Sequence, residues 1–195
     1  MVKFGTDGWR AVISDEFTFA SLRQVAQAIA EVLAEPLGGR APSVVIGYDT
    51  RFLSDRYAAE VANVLAANGA HVALSRGDCP TPALSYAVVS RHADAGVMIT
   101  ASHNPPRYNG VKLKGPNGGS ALPALTHQVE TRLQRNREQG VSPKLLPWRM
   151  EEGELPAAEG HGSIERFDAL PGYLSHLRTL VDCGIIARAR PRVVI

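Results

Sequence analysis

Ser43-Val44-Val45-Ile46-Gly47-Tyr48, Ala70-His71-Val72-Ala73-Leu74 and Ala95-Gly96-Val97-Met98-Ile99-Thr100 are three short apolar runs. The first is rich in β-branched residues and reads as a strand buried on both faces; the other two have the same length and character. Amphipathic segments separate them. Ser54 opens a helix with Tyr57, Val61, Val64 and Leu65 on one face and Gly69 just past its end. Thr81-Pro82 opens the next, Thr as N-cap and Pro as the first helical residue, with Leu84, Ala87 and Val88 inward. Strands joined by helical crossovers must pair in parallel, so this stretch predicts an α/β sheet.

The flanks extend the pattern. From Thr18, an expected N-cap, Leu22, Val25, Ala26, Ile29, Val32 and Leu33 recur at helical spacing until Gly38-Gly39. Downstream, Gly110-Val111-Lys112-Leu113-Lys114 alternates like a half-exposed strand, and Gly115-Pro116-Asn117-Gly118-Gly119 is a turn cluster. A helix is expected from Pro123 to Glu138 with Leu125, Val129 and Leu133 inward. Residues 139–163 are rich in Gly, Pro and Glu without a period, and read as a connecting loop or partly ordered linker. Pro171 to Val181 is again helical, with Tyr173, Leu174, Leu177 and Leu180 on one side. Arg192-Val193-Val194-Ile195 reads as the start of a strand, which predicts that the sequence is a piece of a longer protein.

Composition narrows the function classes. The chain has 195 residues, 45% of them apolar, enough for a self-sufficient core. A net charge of +2 without a basic run argues against nucleic acid. Cys79 and Cys183 lie outside any CxxC pattern; two thiols make no disulfide framework and suit a reducing, cytoplasmic setting. No apolar run approaches the ~20 residues that span a bilayer, so no membrane role is expected. The first seven residues lack the apolar segment of a signal peptide.

The chemistry concentrates in Thr100-Ala101-Ser102-His103-Asn104-Pro105-Pro106-Arg107-Tyr108-Asn109-Gly110-Val111-Lys112-Leu113-Lys114. It begins at the C-terminal end of a buried strand, the edge at which open α/β sheets bind ligands. Two prolines stiffen it. In extended backbone Ser102 and His103 point to opposite sides, so His103 is poorly placed to take the Ser102 proton. There is no G-x-S-x-G elbow either, which disfavours a serine hydrolase. A phosphoryl carrier needs a hydroxyl, surrounding donors and cations. Lys112 and Lys114 share one face of the following strand, and Arg10 and Arg107 are further candidates. Taken alone, the lysine pair reads more simply as a solvated, aggregation-blocking edge.

Two further segments carry a plain and a functional reading. Phe4-Gly5-Thr6-Asp7-Gly8-Trp9-Arg10 is a tight polar turn that either serves a site or merely tucks Trp9 into the core. Gly47-Tyr48-Asp49-Thr50-Arg51 ends a strand, and Asp49-Arg51 by itself suggests a local ion pair that only orders its loop. His71, His92, His127, His161 and His176 are scattered without metal-ligand spacing. HExxH, zinc, Walker A and G-x-G-x-x-G patterns are absent.

Together and in this order, Phe4–Arg10, Gly47–Arg51, Thr100–Pro106 and Asn109–Leu113 resemble the opening, second-strand, catalytic-loop and following segments of the α-D-phosphohexomutase superfamily. That family comprises phosphoglucomutase, phosphomannomutase and phosphoglucosamine mutase. The resemblance implies a three-layer α/β/α domain with a mixed, mainly parallel sheet. It divides the chain into domain I over residues 1–140, a linker over 141–170 and the truncated start of domain II over 171–195. It implies an intramolecular phosphotransferase of the isomerase class that interconverts hexose 1-phosphate and hexose 6-phosphate through a bisphosphate. Ser102 would carry the phosphoryl group. Lys112 would act beside it as acid or base, and Arg10 and His103 as phosphate-neighbouring donors. Thr6, Asp7, Asn104, Asn109 and Arg51 would bind phosphate or shape the loop. Magnesium would meet the chain through the phosphate on Ser102, its other ligands lying in domain II. Domains II to IV are the implied partners, beside hexose phosphates and hexose bisphosphate. Without those domains the chain alone is expected to have negligible mutase activity. The competing reading is a phosphosugar-binding or interaction module without catalysis.

Overall fold

The computed structural model describes residues 2–5 and 8–194. In chain order the elements are β1 (Trp9–Val12), α1 (Phe19–Ala34), β2 (Ser43–Tyr48), α2 (Ser54–Ala67), β3 (His71–Ser75), α3 (Thr81–Ser90), β4 (Ala95–Ile99), β5 (Tyr108–Lys114), α4 (Pro123–Glu138), β6 (Ser163–Phe167), α5 (Leu170–Leu180) and α6 (Cys183–Ala189). Six strands form one sheet in the order β1-β5-β4-β2-β3-β6. The pairs β4/β2, β2/β3 and β3/β6 are parallel; β5 runs antiparallel to β4, and β1 antiparallel to β5. The mixed, mainly parallel sheet has helices on both sides, as expected.

The two-residue period of the strands divides the core. Val44, Ile46, Val97, Ile99, Val111 and Leu113 face α1, α2 and α4 in the larger cluster. Val45, Ala73 and Met98 face α3 in the smaller one, with Leu84, Ala87 and Val88. Thr18 caps α1: its Oγ1 accepts the Ser21 amide at 3.1 Å, and Ser21 Oγ accepts the Thr18 amide at 3.0 Å. Phe17 seats Tyr57 edge-on at 4.9 Å between ring centres, closing the α1–α2 seam.

Several local expectations change. Ser54 does not cap α2: Leu53 holds the cap position at φ 60°, and the Ser54 hydroxyl turns to Asp49. Pro80 rather than Thr81 caps α3. Part of the expected N-terminal turn is strand β1, because Trp9–Val12 finds a free antiparallel edge on β5. Gly110–Lys114 is not half-exposed: Lys112 and Lys114 are only 6% and 8% accessible, Lys112 lying under Gly8 and Lys114 beside Gly96 and bridged to Ser120. Residues 190–194 form no strand. Among described residues, neither α5 nor α6 buries a side chain, and Leu174, Leu180, Ile185 and Ile186 are exposed.

The expected linker is packed along much of its length. The Lys144 amide donates to Gln27 Oε1 at 3.0 Å, and Asn63 exchanges bonds with the Leu146 backbone at 2.8 and 3.0 Å. Trp148 is buried against the larger cluster, and Asn63 Nδ2 donates to its carbonyl. Residues 163–167 then become β6. Aperiodic sequence here means that single side chains, rather than a face, do the anchoring. At the entry to β6, Gly162 donates to the Ala66 carbonyl at 2.8 Å, and a Cβ there would lie 1.9 Å from the Ala70 oxygen. Gly162→Ala should therefore push β6 from β3 and cost about 1–3 kcal/mol in denaturant melts; an unchanged midpoint would contradict this packing.

Asp94 ties the starts of β2 and β4. Arg40 donates to it through Nη2 at 2.6 Å and Nη1 at 2.9 Å, and the Ser43 amide adds a bond of 2.8 Å. The Arg40 bonds hold the Asp94 carboxyl below its usual range despite partial burial. A depressed folded-state value means that its contribution is full above the unfolded value of about 4 and is lost as pH falls through the folded one. Asp94→Asn should flatten the loss of melting temperature below about pH 4; an equally steep acid limb in the variant would refute the assignment.

Candidate active site

The parallel strands β2 and β4 end at the same sheet edge, so Asp49–Arg51 and Thr100–Ser102 emerge side by side. The Thr100 amide still pairs with the Gly110 carbonyl at 3.0 Å, and the Asp49 amide with the Ile99 carbonyl at 3.1 Å. The chain then leaves the sheet at Ser102, loops through Pro105-Pro106 and returns as β5. Ser102 is exposed at φ 57°, in the left-handed region, and its amide donates to Thr100 Oγ1 at 2.9 Å.

Arg51 holds this loop. Nη2 donates to the carbonyls of Ser102 (2.8 Å) and Asn104 (2.6 Å), and Nη1 to those of Pro105 (3.0 Å) and Tyr108 (3.0 Å). Four of the five guanidinium N–H donors are thus engaged by loop carbonyls, while Nε faces Asp49 Oδ2 at 3.4 Å. Asp49–Arg51 does order its own turn, through the Arg51 amide on Asp49 Oδ1 at 3.1 Å. Its larger effect falls on a segment about fifty residues away. In the structure, then, Arg51 braces the loop through the loop's own carbonyls.

Asn109, fully buried, is the second anchor: Nδ2 donates to Ser54 Oγ at 2.9 Å, and Oδ1 accepts the Gly110 amide at 2.8 Å. Asn104 is the third, accepting Arg10 Nη1 on Oδ1 at 2.9 Å. Arg10 stands opposite Gly110 in the β1/β5 register, on the same sheet face as Lys112. Its neighbour Trp9 points the other way into the core, against Phe17 at 4.9 Å. The segment thus tucks Trp9 into the core, while the next residue, Arg10, reaches the serine loop through Asn104. Gly8 lies over Lys112 at φ 106°; a Cβ there would sit 2.3 Å from the Val111 oxygen and 3.1 Å from Lys112 Cγ. Only glycine lets the N-terminal turn cover the lysine stem so closely.

The other expected residues fall as follows. Thr6 and Asp7 lie outside the described residues. His103 is exposed beside Ser102, and among the described residues no hydrogen bond joins it to the serine hydroxyl. Arg107 lies over the Tyr108 ring at 5.5 Å. Cys79 is no competing nucleophile, because burial pushes its thiol up and keeps it protonated. Thr100 and Ser54 are loop partners that the sequence does not reveal. Thr100 reads as the last residue of a strand and Ser54 as a helix cap, and local sequence offers no signal beyond that.

Magnesium finds no ligand set here. Among the described residues no three His, Cys, Asp or Glu side chains cluster. Asp49, the carboxylate at this edge, is taken up by Ser54 Oγ and Arg51. The residues described do not by themselves fit the ion.

Lysine cannot reproduce the Arg51 fork, since its single ammonium reaches at most a few of the four carbonyls. Each charged hydrogen bond lost weakens local closure by about 1.5–3 kcal/mol. In Arg51→Lys, tryptic cleavage after Arg107 should therefore accelerate by about tenfold or more, as cleavage follows local opening. Unaltered cleavage would remove Arg51 from this role.

Residues 1–140 match the family model described as phosphoglucomutase/phosphomannomutase, alpha/beta/alpha domain I. A phosphoglucomutase of Staphylococcus saprophyticus is 33% identical over 186 residues, covering 93% of this chain and 32% of the relative. A phosphoglucosamine mutase of Frankia alni is 37% identical over 206 residues, covering 98% and 43%. The crystal structure of a phosphomannomutase from Thermus thermophilus superposes with a TM-score of 0.76 at 36% identity, covering 94% of this chain and 37% of that one. The chain thus spans from about a third to under half of the length of these relatives. The sheet order, the braced serine loop and these matches agree: the chain belongs to the phosphoglucomutase/phosphomannomutase family, with residues 1–140 as its alpha/beta/alpha domain I.

Proposed function

We propose that Ser102 carries the transferred phosphoryl group of a phosphohexomutase, within a larger enzyme that acts on hexose 1- and 6-phosphates. The observation that carries this reading is the combination at one loop: an exposed hydroxyl in a left-handed backbone, pinned through four carbonyls by Arg51. Phosphoryl transfer asks little covalent chemistry of the protein and much positioning and charge neutralisation. A loop fixed by its own carbonyls leaves the serine side chain and the surrounding cations for the phosphate.

In the forward half, a free hydroxyl oxygen of the hexose monophosphate bonds to phosphorus as the bond to Ser102 Oγ breaks. The hydroxyl loses its proton and Oγ regains one. The bisphosphate then reorients, and its other phosphate returns to Ser102 by the same exchange. The net result moves the phosphate between the anomeric and primary positions. A group that can hold and release one proton serves both halves, and Lys112 takes that part in this reading. Its stem is enclosed by Gly8 and the sheet, which keeps it short of water. Arg10, braced on Asn104, and His103 supply donors to the phosphate oxygens. Magnesium, if bound, would supply charge neutralisation and would meet this chain only through a phosphate on Ser102, its other ligands coming from the rest of the enzyme. Which hexose is turned over would likewise be decided outside this chain, whose proposed setting is cytoplasmic.

Incubation with a hexose 1,6-bisphosphate followed by intact-mass measurement tests the reading. One phosphoryl group should appear on the chain and be absent from Ser102→Ala; equal uptake by both proteins would sink it. Lys112→Met should slow the uptake by about 10²–10⁴-fold, the usual contribution of a general acid–base. The chain alone should show no appreciable mutase turnover, and full-rate turnover would contradict the dependence on further domains.

A further inference from the structure

Leu53 and Ser102, at φ 60° and 57°, are two of the few described non-glycine residues in the left-handed region. Ser54, the residue after Leu53, and Ser102 stand at the two ends of a single hydrogen-bonded chain. A left-handed leucine is disfavoured by its Cβ and has no polar side chain to compensate. Such outliers persist where the surroundings over-determine them, and they gather at functional sites. The turn at Leu53 has a definite result: it swings Ser54 away from capping α2 and into a fully buried position.

There the Ser54 hydroxyl accepts Asn109 Nδ2 at 2.9 Å and donates to Asp49 Oδ1 at 2.9 Å. Asp49 in turn receives the Arg51 amide at 3.1 Å and faces Arg51 Nε at 3.4 Å. Arg51 ends on the Ser102 carbonyl. One buried hydroxyl thus joins the start of β5, the end of β2 and the serine loop. Without it, Asn109 Nδ2 keeps only a long 3.4 Å bond to the Phe52 carbonyl, and Asp49 Oδ1 loses its shortest hydrogen bond, keeping the Arg51 amide at 3.1 Å.

We propose that Ser54 and Asp49 are positioning residues for Ser102. Their bonds set the orientation of the Arg51 fork, and the fork holds Ser102 in its left-handed conformation. The proposal rests on the reading of Ser102 as the phosphoryl carrier; neither residue touches the phosphate.

Nuclear magnetic resonance of the chain tests it without phosphorylation. The Ser102 ¹³C shifts and HN–Hα coupling report the left-handed backbone. The Asn104 and Tyr108 amides, closed on Ala101 at 3.1 Å and Pro105 at 3.0 Å, report the loop through hydrogen exchange. In Ser54→Ala the Ser102 signals should move toward averaged values. Exchange at Asn104 and Tyr108 should rise about fivefold more than at Val45 and Val97 in the sheet. Ser54→Thr, which keeps the hydroxyl, should restore both. Unchanged Ser102 signals, an equal rise throughout the sheet, or no restoration by threonine would overturn the proposal. Should Ser54→Ala fail to fold, Asp49→Asn must give the same local signature, and parent-like Ser102 signals in it would overturn the proposal equally. Phosphoryl uptake measured in parallel separates the two ideas: an unphosphorylated parent chain counts against the carrier reading, while the resonance data still decide the positioning role.

Discussion

A guanidinium with four N–H groups on four loop carbonyls is the interaction on which this site depends. The loop between β4 and β5 contains two adjacent prolines, which bring carbonyls but no backbone donors. Two of its amides close within it, Asn104 on Ala101 and Tyr108 on Pro105, but the prolines leave it with more carbonyls than donors. An arginine fork answers this shortage with donors in fixed directions. The same contact makes a left-handed, solvent-exposed serine tenable. The bond to the Ser102 carbonyl thus comes from a residue at a different strand end.

Sheet topology brings that residue within reach. Because β2 and β4 are parallel neighbours, their C-terminal ends share one edge. Because β5 and β1 return antiparallel, Arg10 and Lys112 come to the same face beside them. On an open strand the two lysines would be solvated; here they are enclosed, Lys112 with Gly8 directly on its stem and Lys114 against Gly96 and Ser120. Enclosing an ammonium is unfavourable unless it is partnered. Lys112 does have an interaction partner.

Beyond domain I, residues 141–167 show how an aperiodic segment can be structural. Gln27 and Asn63, single amides on α1 and α2, bind its backbone, and β6 completes the sheet. After β6 the character changes: α5 and α6 carry apolar side chains outward, in a chain that spans only a fraction of its relatives' length.

By itself, the sequence determined the alternation of strands and helices from residue 18 to 138, since hydrophobic period and turn residues act locally. It also identified the serine loop, because Ser102, His103, Asn104 and the two prolines are contiguous, and the family resemblance rested on the same run. Tertiary structure alone decided what the isolated residues do. Asp49-Arg51 looked like a local pair, Ser54 like a cap and Lys112 with Lys114 like an exposed edge, each the simplest local reading. Their partners lie about fifty or a hundred residues away in the chain: Arg51 on the carbonyls of 102–108, Ser54 on Asn109, and β5 against β1. Local propensity carries no information about such pairings, because hydrogen bonds across a sheet edge depend on strand order, and strand order is set only when the whole core packs.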